Sequence, residues 1–99
     1  MNILKKYKDS AYKRGNILLF EIDQMLEIIE DCRKETLSIY GFDGFKIGAD
    51  TIQPFSEHSV DFSTIANDPK VYDLSRNFVL SKKSTGLLFE IVLDDDEGL

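Results

Sequence analysis

Among its 99 residues the chain has no tryptophan, one cysteine, one histidine, two prolines and two methionines. Each scarcity removes a class of explanation. Cys32 alone cannot close an internal disulfide, so a small disulfide-stapled scaffold is excluded and a reducing compartment is the expectation. One cysteine and one histidine cannot furnish a closed structural zinc site. No stretch approaches the roughly 20 consecutive apolar residues needed to span a bilayer. The first residues, "MNILKKYKDSAYKRG", carry lysines but no apolar run of signal-peptide length. The expectation is therefore a cytoplasmic protein without membrane contact. Internal repeats and Pro/Ser-rich linkers are missing too. The three glycines of "GFDGFKIG" match neither the dinucleotide fingerprint nor the phosphate loop. They read instead as turns, bulges or close backbone approach.

What is present is enough for one core. The apolar share is 42%, with seven phenylalanines and four tyrosines. A chain of this length buries about two thirds of its unfolded surface on folding. Residues 1–99 are read as a single domain, with a basic segment at 1–15 and a disordered acidic tail at 94–99. The formal net charge is −6, unevenly spread: residues 1–14 hold five bases and one acid, the remainder seven bases and seventeen acids. Such a body repels nucleic-acid phosphates and favours a basic protein partner, whose approach its field would steer.

Periodicity places the elements. The first fifteen residues read as a short helix stopped at Gly15. Leu18, Ile22, Met25, Ile29 and Cys32 step by three and four, which predicts a helix over 20–35 with a start as early as Asn16. Glu21 and Asp23 near its start, and Arg33 and Lys34 at its end, complement the helix dipole. "LSIYGFDGFKI" alternates and reads as a strand over 37–47, bent at Gly41 or Gly44. A turn at "GAD", residues 48–50, is preferred over one at Asp43-Gly44, and pairs that strand with "TIQPF". Pro54 then marks an edge or a strand end, and "SEHSVDFS" is a further short strand or an ordered loop. Asp68 as N-cap and Pro69 as the first helical residue open a second long helix carrying Val71, Leu74 and Phe78 on one face. "GLLFEIVL" is apolar on both sides and reads as a central strand. The expected class is α+β, a small antiparallel sheet with helices packed on one side, in the order α-α-β-β-α-β.

Candidate sites are few. His58 lies beside Glu57 and three residues before Asp61, which could make it a base with Ser56 or Ser59 as nucleophile. The nucleophile elbow G-x-S-x-G is missing, so a structural loop histidine is preferred and no catalytic residue is assigned. His58, Glu57 and Asp61 offer one nitrogen and two carboxylates, too generic a set for a metal. Asp94, Asp95, Asp96 and Glu97 lack the spacing of a calcium loop. No cofactor is expected. Six acids, Glu21, Asp23, Glu27, Glu30, Asp31 and Glu35, line the polar side of the main helix and form a negative patch beside the acids of residues 40–63.

"YGFDGFKI", then "IQP", then "EHSVDFS", then "FEIVL" resembles small bacterial immunity proteins, nearest those of contact-dependent growth inhibition systems. The likeness covers most of residues 16–93. It implies a non-enzymatic, stoichiometric inhibitor in the producing cell's cytoplasm. Its partner would be one cognate toxin domain, often a basic nuclease. The family carries no catalytic residues to transfer, and its contact residues vary from pair to pair. From the residues themselves, Phe42, Asp43, Phe55, Glu57 and Asp61 are the expected toxin-binding set, with Phe45 and Phe62 assigned to the core. The alternative is a structural or regulatory module, homodimeric through a sheet edge.

Overall fold

The computed structural model describes residues 3–14, 17–47, 52–83 and 86–93, and of residues 14, 47 and 52–57 the backbone alone. The chain begins with α1, Ile3–Tyr7, and a single 3-10 turn, Lys8–Ser10. Two short strands follow, β1 at Tyr12–Arg14 and β2 at Ile17–Leu19. Then come α2, Ile22–Glu35, β3, Ile39–Ile47, and β4, Ile52–Asp61. The chain continues with α3, Lys70–Ser81, and β5, Leu88–Leu93. The class is α+β. No helix among the described residues is long and apolar enough to cross a membrane.

The order differs from the expected α-α-β-β-α-β by the hairpin β1–β2. Tyr12 pairs with Leu19 and Arg14 with Ile17. Among the described residues the expected helix over 1–15 is therefore only five residues long. Asn16, the proposed early start of α2, lies outside the described residues, and the residues after it, Ile17–Leu19, are strand instead. The reason lies one residue further on. Phe20 and Phe89 exchange both backbone hydrogen bonds, at 2.8 and 2.9 Å. This bridge holds the end of β2 extended against β5, and tertiary pairing overrides the helical period of Leu18, Ile22 and Met25. The stop assigned to Gly15 lies outside the described residues.

Helix α2 starts where that pairing ends. The Glu21 backbone N–H donates to Gln24 Oε1 at 3.1 Å, half of a capping box. The helix ends in a Schellman motif: Thr36 N–H donates to Arg33 O and Leu37 N–H to Cys32 O. Thr36 occupies the left-handed position with φ 56°. Asp68 and Pro69 open α3 as expected: Asp68 Oδ1 accepts from the Lys70 N–H at 3.0 Å, and Pro69 already has helical angles.

The three-stranded sheet has the order β4-β3-β5, all antiparallel. β3 is the central strand. β5, expected to be central, lies outside it, with Phe20 pairing to its far edge. β3 pairs with Ile52–Phe55 as expected, and "SEHSVD" continues the same strand, β4. Pro54 lies on an edge strand. The expected turn at residues 48–50 lies outside the described residues, as does the tail at 94–99. Asp43-Gly44 is no turn but the middle of β3.

Helices α2 and α3 cover one face. Phe42 of β3 stacks on Phe78 of α3 with centroids 5.9 Å apart, and Phe78 meets Phe89 of β5 edge-on at 6.1 Å. Met25, Ile28, Ile29 and Cys32 of α2 and Val71 and Val79 of α3 complete this core with Ile39, Ile91 and Ile3. Burying each large side chain contributes roughly 1.5–3 kcal/mol.

Candidate functional site on the second face of the sheet

Strand alternation sends the other half of the sheet's side chains away from the helices. Register fixes which they are. In one row Asp43 of β3 lies between Ser59 of β4 and Glu90 of β5; in the next, Gly41 lies between Asp61 and Val92. Two irregularities shape these rows. Ile39 pairs with Leu93 but Gly41 with Val92, so Tyr40 is an inserted residue and β3 bulges there. On the other side, Asp43 pairs with Ser59 but Gly44 with Phe55, so the register of β4 shifts across Ser56, Glu57 and His58. Both irregularities adjoin the glycines at which a bend was expected, the first inserting a residue into β3 beside Gly41 and the second inserting residues into β4 opposite Gly44.

Both glycines are needed for close approach. A Cβ at Gly41 would lie 2.4 Å from Val60 O, and one at Gly44 would lie 2.8 Å from His58 Cβ. A depression of about 330 Å3 lies beside Gly41 on the sheet, bordered by Tyr40, Asp43, Asp61, Ser63 and Val92. Val92 is 46% exposed and Tyr40 37%, among the most exposed large apolar side chains described.

The electrostatics of this face are negative. Asp61 accepts a hydrogen bond from the Ser63 N–H at 2.8 Å, and the Ser63 donors hold its carboxyl below the usual range. Burial, and then the neighbouring charge of Asp43, push the Glu90 carboxyl above its usual value. Among the described residues no ion pair engages Asp43, Asp61 or Glu90.

The acids of α2 are placed otherwise. Asp31 accepts from Tyr7 Oη at 2.6 Å and from Lys6 Nζ at 2.9 Å. Burial alone would raise its pKa, but these two donors overcome that and hold it low. Glu30 pairs with Arg33. The basic start of the chain thus folds back onto the acidic helix, and α2 offers less free negative charge than its sequence implies.

Of the five expected binding residues, Asp43 and Asp61 border the same depression. Phe42 also lines it, but offers no side chain to a partner. It is 1% exposed and its ring belongs to the core, because the bulge at Tyr40 sets residue 42 on the helix side. Phe55 and Glu57 have side chains outside the described residues; their backbone runs along β4. Phe62 packs partly buried against the core and Phe45 is 8% exposed, as assigned. Glu90, Tyr40 and Val92 were missed. "FEIVL" alternates, so Glu90 and Val92 were legible as one face of a strand; which face stays open is a matter of topology. His58 lies in the β4 irregularity against Gly44, whereas Asp61 lies in the row of Gly41. Among the described residues no three His, Cys, Asp or Glu side chains are arranged to hold a metal ion. No family model, no curated protein and no solved structure matches this chain.

Proposed function

We propose that this chain is a stoichiometric inhibitor of a basic protein, an immunity protein that neutralises a cognate bacterial toxin domain in the cytoplasm of the producing cell. The observation that carries this reading is the second face of the sheet. It presents Asp43, Asp61 and Glu90 around the exposed Val92 and Tyr40, and neither α2 nor α3 covers it. A nuclease must offer lysine and arginine to phosphates, so its cleft is positive. Carboxylates held on a sheet pair with such groups as charge-assisted hydrogen bonds, stronger than neutral ones. Apolar groups beside them supply the desolvated anchors that dominate binding energy. The net charge of −6 speeds capture by steering. The chain itself makes and breaks no bonds and needs no cofactor, and the basic toxin domain is its protein partner.

The test is co-purification of the tagged chain with the product of the adjoining reading frame. The reading predicts a one-to-one complex, toxin activity abolished at equimolar inhibitor, and an association rate that falls steeply with salt. Turnover of a substrate by the chain alone, or full toxin activity at excess inhibitor, contradicts it.

A further inference from the structure

The second sheet face carries a more specific assignment, which rests on reading that face as a protein-docking surface. We propose that the depression over Gly41 takes one arginine side chain of the partner, its guanidinium held between the carboxylates of Asp43 and Asp61 and its flat faces against Tyr40 and Val92.

Three features of the face converge on this occupant. The first is spacing. Asp43 lies directly opposite Ser59, and Asp61 is two residues further along β4. Diagonal neighbours of this kind are about 7–8 Å apart. That leaves room for a planar cation making an N–H···O bond of about 2.8 Å to each side. The second is the floor. Gly41 stands between Asp61 and Val92, so the centre of the row has no side chain, and Gly41 itself lines the depression. The third is the lining. An ammonium ion is compact and strongly hydrated and has little use for an exposed valine and a tyrosine ring. A guanidinium is weakly hydrated and stacks on such surfaces. Charge complementarity excludes a second copy docked face to face through this surface, because the same carboxylates would then face each other. The like-charged pair Asp43 and Glu90, directly opposed across β3 and β5, costs stability in the free protein and is relieved when a cation lies beside it.

Amide chemical shifts of the isotope-labelled chain test this during titration with N-acetyl-arginine methylamide and, separately, N-acetyl-lysine methylamide at matched ionic strength. The arginine compound is expected to shift Gly41, Asp43, Asp61 and Val92 and to bind at least fivefold more tightly than the lysine compound. Asp43→Asn with Asp61→Asn should lower that affinity at least fivefold. Tyr40→Ala, which leaves both carboxylates in place, should weaken it as well. Equal binding of the lysine compound, the same shifts with calcium chloride alone, or shifts spread over the acids of α2 would overturn the assignment. An inhibitory toxin complex undiminished by the double variant would overturn the arginine site while leaving the inhibitor reading intact. Selective binding of the arginine compound with no toxin complex would do the reverse.

Discussion

Asp43 and Glu90 face each other directly across β3 and β5, two carboxylates side by side on the half of the sheet that α2 and α3 leave uncovered. Burial and the Asp43 charge raise the Glu90 pKa. A carboxyl whose folded pKa lies above its unfolded one favours folding only while protonated. Below the ordinary glutamate range it is neutral in both states; as pH rises through the raised folded value, that relative advantage is lost. Glu90→Gln should therefore be more stable than the parent at pH 7, by a few tenths to about 1 kcal/mol. The difference should shrink to nothing below about pH 4. Urea denaturation of both proteins across this range checks the sign.

The contact between Tyr7 and Asp31 works in the opposite sense. Asp31 is held below its usual pKa, so its contribution is present above the ordinary aspartate range and lost as pH falls through the folded value. Tyr7→Phe removes a donor to a charged acceptor and should cost about 1–2 kcal/mol at pH 7, less in acid. Lys6→Ala, at an exposed pair, should cost under about 1 kcal/mol. Chemical denaturation at two pH values distinguishes them.

Two backbone positions should respond with opposite signs. Gly41→Ala drives a Cβ into the Val60 carbonyl and should destabilise by about 1–3 kcal/mol. Thr36→Gly relieves a β-branched residue of a left-handed conformation and should stabilise by up to about 1 kcal/mol. Melting temperatures of the two variants against the parent decide both.

Phe42 and Val92 separate core from surface. Phe42→Ala opens a cavity beneath Phe78 and should cost about 3–5 kcal/mol. Val92→Ala removes a half-exposed side chain and should leave stability within about 0.5 kcal/mol, while weakening the proposed toxin complex. Denaturation and binding, measured on both, give the two patterns.

Much of this fold was legible because the signals were local. The apolar steps along α2, the Asp68-Pro69 start of α3 and the alternation of β3 each lie within a dozen residues. The hairpin β1–β2 was hidden by competition. Leu18 continues the helical stripe of α2, and only pairing of Phe20 with Phe89, 69 residues away in sequence, decides for strand. A signal was there all the same: the dipeptide Gly-Asn in the sequence is of a kind that joins hairpin strands. The site was half legible. Asp43 and Asp61 stand out as acids among aromatics, but a one-residue bulge at Tyr40 decides which side of the sheet receives Phe42. No pattern in the sequence announces that bulge. Nor does charge counting reveal that Lys6 and Tyr7 occupy Asp31 and so lessen the negative face of α2.

The most direct test reverses charge on one face at a time. Asp43→Lys, Asp61→Lys and Glu90→Lys together form one protein; Asp23→Lys, Glu27→Lys and Glu35→Lys on α2 form another with the same net charge. Each is titrated against the proposed basic toxin domain. The sheet-face protein should lose more than tenfold in affinity and the α2 protein less than threefold. Equal losses, or a greater loss on α2, would contradict the assignment of the second sheet face as the docking surface.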